Sequence, residues 1–349
     1  MRLEELLALV DRGQPVQRQD LRHLDLRGRD LSGGLFEDVT FAGDQLEEAD
    51  LVETNFVGCS FVGCSFRGVR AKLASFIRCD VRNARFQGGR LATASFIEAD
   101  ATGADYRGAE LTLAAFVKCD LTRANFSGMT LDRVRLLESS FAELDLSSAS
   151  LVDSQFYQAD LRQARFHGAQ FYKCVLVACD LSGVDLSGLS LAFCQFNDAK
   201  LAGAKFVQGT LHNSSMKGAD LRGADLSGAD ARQVVFFQAK LERANLRRAN
   251  LRQSIFGEAA LTRADLTGAD LYQANFARAS CVGARFVDAD LTYAEFPHAD
   301  LSGADFSGAS LFRARFHRTR EDGTVFTDRS LALGDDEKLA EAEAFVPRV

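Results

Sequence analysis

Leucine and phenylalanine recur at every fifth position along most of this chain. Steps of five from Leu21 reach Phe326 without an insertion or a deletion, which gives 62 positions, and only eight of them hold another residue. A second apolar phase lies two residues earlier, where Ala occupies 33 steps and Cys seven. A period of five fits neither an α-helix nor a β-strand. The pattern therefore predicts a coil that turns a corner every five residues and buries one large and one small side chain each time.

The repeat has the motif A-[DN]-[LF]-x-x, which residues 219–223 and 224–228 show without deviation. This motif resembles that of the pentapeptide-repeat family, and the resemblance covers about residues 20–326. It implies an all-β solenoid, a right-handed quadrilateral β-helix with four repeats per coil. The sequence carries the twenty-residue period that this fold requires, because the column from Phe36 to Phe316 holds Phe at 12 of its 15 steps. We therefore predict about 15 coils, with Phe stacked on one wall and Leu on its neighbour.

The two ends of the repeat region carry helical signals. We divide the chain into an N-terminal cap helix and entry (1–19), a pentapeptide-repeat β-helix (20–326) and a C-terminal acidic helix or tail (327–349). The first helix is predicted from apolar residues at helical spacing before Gly13, namely Leu3, Leu6, Leu7 and Val10. The second is predicted to begin at an N-cap on Asp335 or Asp336, to run through Leu339, Ala342 and Phe345, and to end at Pro347.

Composition and charge narrow the class of protein. The 349 residues carry a net charge of −7, and the repeat region from 21 to 326 accounts for only −3 of it. This is not the basic footprint of a nucleic-acid-binding protein, so no nucleic-acid partner is expected. The opening apolar segment is interrupted by Glu4 and Glu5, and no run approaches 18 apolar residues. We therefore expect a cytoplasmic protein with neither a membrane span nor a secretory signal.

Cysteine and histidine are the residues that could hold a metal. Seven of the eight cysteines occupy the small inward phase and Cys281 the large one, so we interpret them as substitutes for Ala in a tight wall. The five histidines lie at outward phases and are interpreted as surface residues, although His298 and His317 fall on neighbouring coils. No nucleotide-binding, metalloprotease or hydrolase motif occurs in a supporting context. We expect no cofactor, no metal and no enzymatic activity.

A column of aspartates raises an alternative function. Some pentapeptide-repeat proteins resemble duplex DNA in charge and bind DNA gyrase, and this chain has Asp80, Asp100, Asp120, Asp160, Asp180, Asp220 and Asp300 in one column. A phosphate mimic needs an unopposed negative field. Neighbouring outward positions here hold basic residues such as Arg82, Arg162 and Arg222. The column is therefore interpreted as the turn residue of the motif.

An apolar stripe lies just after the Phe column, at an outward position that should be polar. In seven consecutive coils it reads Val57, Ile77, Ile97, Val117, Leu137, Tyr157 and Val177. Glu37 precedes this stripe, and Asn197 and Lys217 follow it. Aromatic residues also occupy outward phases of the neighbouring face: Tyr172, Phe193, Tyr272, Tyr293 and Phe312. The apolar stripe either stiffens its wall, as cross-strand pairs do, or marks a partner site.

These observations favour a non-enzymatic scaffold or adaptor that presents a rigid surface to a protein partner. The arrangement of a short N-terminal helix, repeats and an acidic tail resembles the pentapeptide-repeat proteins associated with type VI secretion. The resemblance implies that the partner is a secreted effector or a secretion component. A homodimer along the apolar stripe stays open. The alternative is a DNA-mimicking modulator of DNA gyrase.

Overall fold

The backbone is wound as a parallel β-solenoid of about 16 turns in a computed structural model that describes residues 1–43 and 45–344. The chain forms two compact units, Met1–Asp180 and Leu181–Val349. The predicted solenoid is confirmed, with a short helix at either end. None of the helices in the described part of the chain is both long and apolar enough to cross a bilayer.

The first unit contains one helix and twelve short strands. These are α1 (Leu3–Asp11), β1 (Val16–Gln17), β2 (Leu35–Glu37), β3 (Asn55–Val57), β4 (Ser75–Ile77), β5 (Ser95–Ile97), β6 (Ala115–Val117), β7 (Thr130–Asp132), β8 (Arg135–Leu137), β9 (Ser150–Val152), β10 (Gln155–Tyr157), β11 (Gln170–Tyr172) and β12 (Val175–Val177). A nine-stranded parallel sheet has the order β1-β2-β3-β4-β5-β6-β8-β10-β12. Strands β7, β9 and β11 form a second parallel ladder on another face.

The second unit is held mainly by isolated parallel bridges between successive turns. Its regular elements are β13 (Ser190–Ala192), β14 (Asp305–Phe306), β15 (Val325–Phe326) and α2 (Glu337–Ala344). Its bridges join residues 20 apart, as Asp220 and Lys240 do, until Arg315 pairs with Leu333 across 18 residues. The twenty-residue period read from the sequence is thus the hydrogen-bonding period of the backbone, and the register shortens only in the last turn.

The two inward phases form the core. Every residue on the large phase from Leu21 to Phe316 is buried, while Glu321 and Phe326 at the open end are half-buried. The small phase is buried along most of its length, but Arg29 is exposed, contrary to the rule that this phase faces inward. Burying an unpaired guanidinium in this narrow interior would cost a large desolvation free energy, so the Arg29 side chain points to solvent.

Aromatic rings stack along opposite walls of the first unit. Phe76, Phe96 and Phe116 in the expected column stack at centroid distances of 4.7 and 4.8 Å, with interplanar angles of 4°. A second stack, which the column analysis missed, runs through Phe66, Phe86, Tyr106 and Phe126. The rings of the two stacks contact each other edge to face across the core, a geometry that aromatic pairs prefer. The two stacks therefore fill the core of the first unit along the turns that contain them.

The two helices are held in different ways. Helix α1 buries Leu6 and Val10, and β1 already pairs with β2 four residues before the predicted start of the repeat region. Helix α2 is capped by Asp336, whose carboxylate accepts a hydrogen bond from the Leu339 N–H at 3.1 Å. No described residue of α2 is buried, so polar contacts hold it. The predicted helical residue Phe345 and the stop at Pro347 lie outside the described residues.

Candidate protein-binding site

The apolar stripe is one unbroken column on the outside of the nine-stranded sheet. Its seven members are the third residues of β3, β4, β5, β6, β8, β10 and β12. Each lies directly opposite the next in register, as Ile77 does with Ile97 and Ile97 with Val117. Residues 20 apart in the sequence thus form a continuous ladder of neighbouring side chains.

The stripe is less exposed than its outward phase implies. Six of its seven side chains are half-buried, and only Tyr157, at 44 %, is exposed. Successive strands of a sheet lie about 4.8 Å apart, so branched side chains in one column cover each other's flanks. The apolar stripe is therefore a nearly flat surface of half-buried side chains.

Two further exposed leucines lie at the corner that precedes this face, and the first residues of the strands, such as Ser75, lie between this corner and the stripe. Leu73 and Leu113 are 49 % and 43 % exposed. Both have left-handed backbone conformations, with φ of 61° and 62°. That conformation costs a leucine about 1–2 kcal/mol relative to Gly, and the exposed side chain gains nothing from burial. The apolar pattern alone did not single out Leu73 and Leu113. They could have been found as leucines at a corner position that Gly, Asn or charged residues usually occupy.

Charged residues border the stripe on its other side. The corner residues of four successive coils are Arg78, Glu98, Lys118 and Glu138, all exposed. Lys118 Nζ lies 3.9 Å from Glu138 Oε2, a surface ion pair of small energetic weight. Their signs alternate along the column. A complementary surface would carry an apolar face flanked by charges of the opposite alternation.

The aspartate column consists of turn residues with partners. The Asp120 carboxylate accepts a hydrogen bond from the Thr122 N–H at 2.9 Å. Asp220 accepts from the Arg222 side chain, and this hydrogen bond holds the pKa of the Asp220 carboxyl below its usual range. Asp80 and Asp160 pair in the same way with Arg82 and Arg162. These carboxylates brace their own turns, and the guanidinium beside Asp80, Asp160 and Asp220 reduces the negative field that a phosphate mimic would need.

All eight cysteines are buried and outside any disulfide, as expected of residues that replace Ala in the wall. The Cys119 Sγ donates to the Phe96 carbonyl at 3.3 Å, and burial raises the pKa of this thiol to about 11. Burial likewise raises the pKa of Cys179 to about 12. These protonated, enclosed thiols are poor metal ligands.

The interpretation of the histidines as surface residues is wrong for His317. Its side chain is buried, whereas His23 and His167 are exposed and His212 is half-buried. His298 and His317 do lie on neighbouring turns, with ring centroids 5.7 Å apart. The burial comes from the segment after the repeats, whose Asp336 N–H donates to His317 Nδ1 at 3.1 Å. A five-residue pattern carries no information about where that segment lies.

The outward aromatics of the second unit form a smaller ladder. Tyr272 contacts Tyr293 edge to face at 5.8 Å, and Tyr293 contacts Phe312 at 5.7 Å. The Arg252 guanidinium lies 4.2 Å from the centre of the Tyr272 ring. Local cation–π and aromatic contacts thus account for these side chains.

Comparison with known families identifies the architecture. The profile described as "Pentapeptide repeats (8 copies)" matches the chain in overlapping segments that cover residues 45–112 and 179–328. The profile "Pentapeptide repeat region" matches residues 109–191. The chain therefore belongs to the pentapeptide-repeat family, and such proteins are generally structural or binding proteins without enzymatic activity.

Several solved structures are similar in part. A trypsin-treated form of QnrB1, a plasmid-mediated fluoroquinolone resistance protein, is 25% identical with a TM-score of 0.35, over 53% of this chain and 90% of that one. HetL, a pentapeptide repeat protein involved in heterocyst differentiation regulation in Nostoc sp. strain PCC 7120, is 21% identical with a TM-score of 0.21, over 90% and 96%. A pentapeptide repeat protein from the thylakoid lumen of Arabidopsis thaliana is 35% identical with a TM-score of 0.20, over 32% and 66%. No curated protein sequence matches the chain.

Proposed function

We propose that this protein is a non-enzymatic scaffold whose apolar stripe, Val57 to Val177, binds a protein partner. The observation that carries the proposal is the unbroken ladder of seven apolar residues on the outer face of a sheet, bounded by Glu37 before it. Exposed Leu73 and Leu113 add apolar surface at the preceding corner, where a polar residue would cost less. Contiguous apolar surface bordered by charge is the anatomy of a protein interface.

The finer proposal is an adaptor of type VI secretion, acting in the cytoplasm on an effector or a secretion component. The sequence of a short N-terminal helix, repeats and an acidic C-terminal helix supports it, and eight buried cysteines, none of them in a disulfide, suit a reducing compartment. The partner we propose has a flat apolar face flanked by charges that complement Arg78, Glu98, Lys118 and Glu138 in order.

A second copy of the chain is another occupant of the same surface. If two copies pack with their sheets face to face and antiparallel about a two-fold axis along the strands, the corner column of one faces that of the other in reverse order. Arg78 would then face Glu138 of the second copy, and Glu98 would face Lys118. This self-complementarity makes a homodimer an explicit outcome of the test.

The gyrase-modulator alternative predicts an effect on supercoiling. Because arginines pair with several aspartates of the column and the repeat region carries little net charge, we expect purified protein neither to inhibit gyrase nor to protect it against a quinolone. Stoichiometric protection in that assay would overturn the ranking of the two functions.

Site-specific crosslinking in cells tests the proposed surface. A photoreactive benzoyl-phenylalanine would replace Ile97 in the stripe or, as the matched control, Val152, a half-buried third residue of strand β9 on another face. We expect one dominant adduct at position 97 and none at 152. Adducts of equal yield at both positions, or none at 97, would contradict the proposal. An effector or a secretion component in the adduct at position 97 would support the adaptor proposal. A second copy of the chain or a gyrase subunit in that adduct would overturn the adaptor proposal.

A further inference from the structure

Two histidines and a glutamate meet where helix α2 lies against the last turns of the second unit. His298 Nε2 is 3.0 Å from Glu343 Oε1, and His317 Nε2 is 3.4 Å from Glu343 Oε2. One ligand atom from each residue lies within 4.8 Å of the others. Imidazole nitrogens and a carboxylate oxygen are a donor set that Zn²⁺ prefers. We propose that His298, His317 and Glu343 bind one zinc ion, which fastens helix α2 to the solenoid.

The solenoid fixes the two imidazoles before any ion arrives. The His298 N–H donates to the His317 carbonyl at 2.9 Å, so the two residues are held on adjacent turns. Their rings contact edge to face, with an interplanar angle of 81°. The side chain of His317 is 4 % exposed and that of His298 33 %. Two ligands are thus preorganised on a rigid wall, with one side open for an ion to enter.

The third ligand comes from the helix. Asp336 caps α2, and Glu343 lies two turns later on the same helix. Its carboxylate faces Nε2 of both imidazoles, so it can offer an oxygen to an ion held between the helix and the solenoid.

A tetrahedral zinc ion requires the three ligands to draw closer together. Zinc–ligand distances of about 2.0–2.2 Å place neighbouring tetrahedral ligands roughly 3.3–3.6 Å apart. His298 lies 3.0 Å from one Glu343 oxygen and His317 lies 3.4 Å from the other, and one ligand atom from each residue lies within 4.8 Å of the others. Three protein ligands leave the fourth position for water or for a ligand from a partner.

Binding requires the proton of His317 to move. Because Nδ1 of His317 accepts the Asp336 N–H, Nε2 holds the proton in the neutral ring and donates it to Glu343. A zinc ion at Nε2 displaces that proton to Nδ1, and the Asp336 N–H then loses its hydrogen bond to this nitrogen. The Asp335 carboxylate, whose Oδ1 lies 3.9 Å from Nδ1, is the acceptor in reach. Zinc should therefore switch the His317 tautomer, which imidazole ¹⁵N chemical shifts report.

One neighbouring group opposes the ion. Arg318 Nη1 lies 3.1 Å from Glu343 Oε2, so its positive charge repels a cation at the site. Arg318 also donates from Nη2 to the Ala340 carbonyl at 3.3 Å, a contact that helps to hold α2. Replacing Arg318 by Gln should tighten zinc binding while it weakens α2 docking. A purely structural cluster predicts only the second effect.

Calorimetric titration of untagged full-length protein with Zn²⁺, followed by Co²⁺ absorption spectroscopy, tests the site. We expect one ion per chain, tetrahedral Co²⁺ bands, and a loss of affinity of at least about tenfold in His298→Gln and in Glu343→Gln. Glu343→Gln retains hydrogen-bonding atoms and lies on the surface, so it should fold. His212→Gln, on another turn, is the matched control and should bind like wild type.

The outcomes are decisive for this site and independent of the apolar stripe. Absence of saturable Zn²⁺ binding by the wild type would overturn the proposal. Equal binding by wild type and Glu343→Gln would do the same, because the ion would then lie elsewhere. Loss in the two ligand variants with a gain in Arg318→Gln would establish it.

Discussion

Small polar residues enter the core because each finds the same partner. The Thr54 hydroxyl donates to the Leu31 carbonyl at 2.9 Å, the Ser154 hydroxyl to the Leu131 carbonyl at 2.9 Å, and the Cys119 thiol to the Phe96 carbonyl. In each case the acceptor lies 23 residues earlier, at a large inward residue of the preceding turn. Ser, Thr and Cys can therefore replace Ala there without leaving a buried donor unsatisfied.

Tyr106 is the exception to this rule. Its ring stacks 4.9 Å from Phe86 and 4.8 Å from Phe126 and is fully buried. Its hydroxyl has no hydrogen-bond partner among the described residues. Burial accordingly raises the pKa of the Tyr106 phenol well above its usual value. The unpaired buried hydroxyl lowers the stability of the fold, and the stacking of the ring must offset that loss.

Replacing Tyr106 by Phe should therefore stabilise the protein. The expected gain in the free energy of unfolding is about 1–3 kcal/mol, the desolvation cost of an unsatisfied polar group. Urea denaturation followed by circular dichroism measures it. The reverse change in the next turn of the same stack, Phe126→Tyr, is the matched control and should lower stability. A destabilised Tyr106→Phe variant would show that the hydroxyl has a partner.

The turn is the repeating element, and an Asp–Arg pair braces many of its copies. In the first turn, side-chain hydrogen bonds from Arg22 and Arg27 lower the pKa values of Asp20 and Asp25 to about 2. Folded carboxyls with lowered pKa values release protons that the unfolded chain would bind. Their contribution to stability is therefore complete above about pH 4 and is lost as the pH falls towards 2.

The double variant Arg22→Gln and Arg27→Gln tests this element. Because both pairs are exposed, we expect a small decrease in melting temperature at pH 7. The difference from wild type should shrink below pH 4 and be mostly lost at pH 2, where Asp20 and Asp25 are fully protonated in the unfolded chain and about half protonated in the folded wild type. Melting temperatures measured at pH 7, 4 and 2 decide it. A difference that is undiminished at pH 2 would assign the arginines a role other than pairing with ionised Asp20 and Asp25.

The sequence predicts the inward residues of each turn better than the positions of the segments that flank the repeats. Leu21 to Phe316 could be assigned inward because one phase repeats without interruption, and backbone bridges 20 residues apart follow from the same period. The half-burial of Ile97 could not be predicted, since it depends on neighbours in adjacent strands. The contact of Glu343 with His317 could not either, because it depends on the path of the chain after Phe326, where the repeat has ended.

At the scale of the whole molecule, stability is close to a sum over neighbouring turns. Within each unit, backbone groups of one turn pair with those of the next, and the inward columns stack along the same direction. A surface change on one face is therefore felt mainly by its own and adjacent turns. This locality allows binding and stability to be altered separately on the apolar stripe.

A double variant with Ile97→Asp and Val117→Asp, measured for both partner affinity and melting temperature, tests the central claim most directly. The matched control is Val152→Asp with Tyr172→Asp. These are the third residues of strands β9 and β11, which pair on another face. If the stripe is the interface, the first variant should bind the partner captured at position 97 more weakly by several kcal/mol, because each buried carboxylate must be desolvated, and the control should bind like wild type. Retained binding together with a lowered melting temperature would show that the stripe only stiffens its wall.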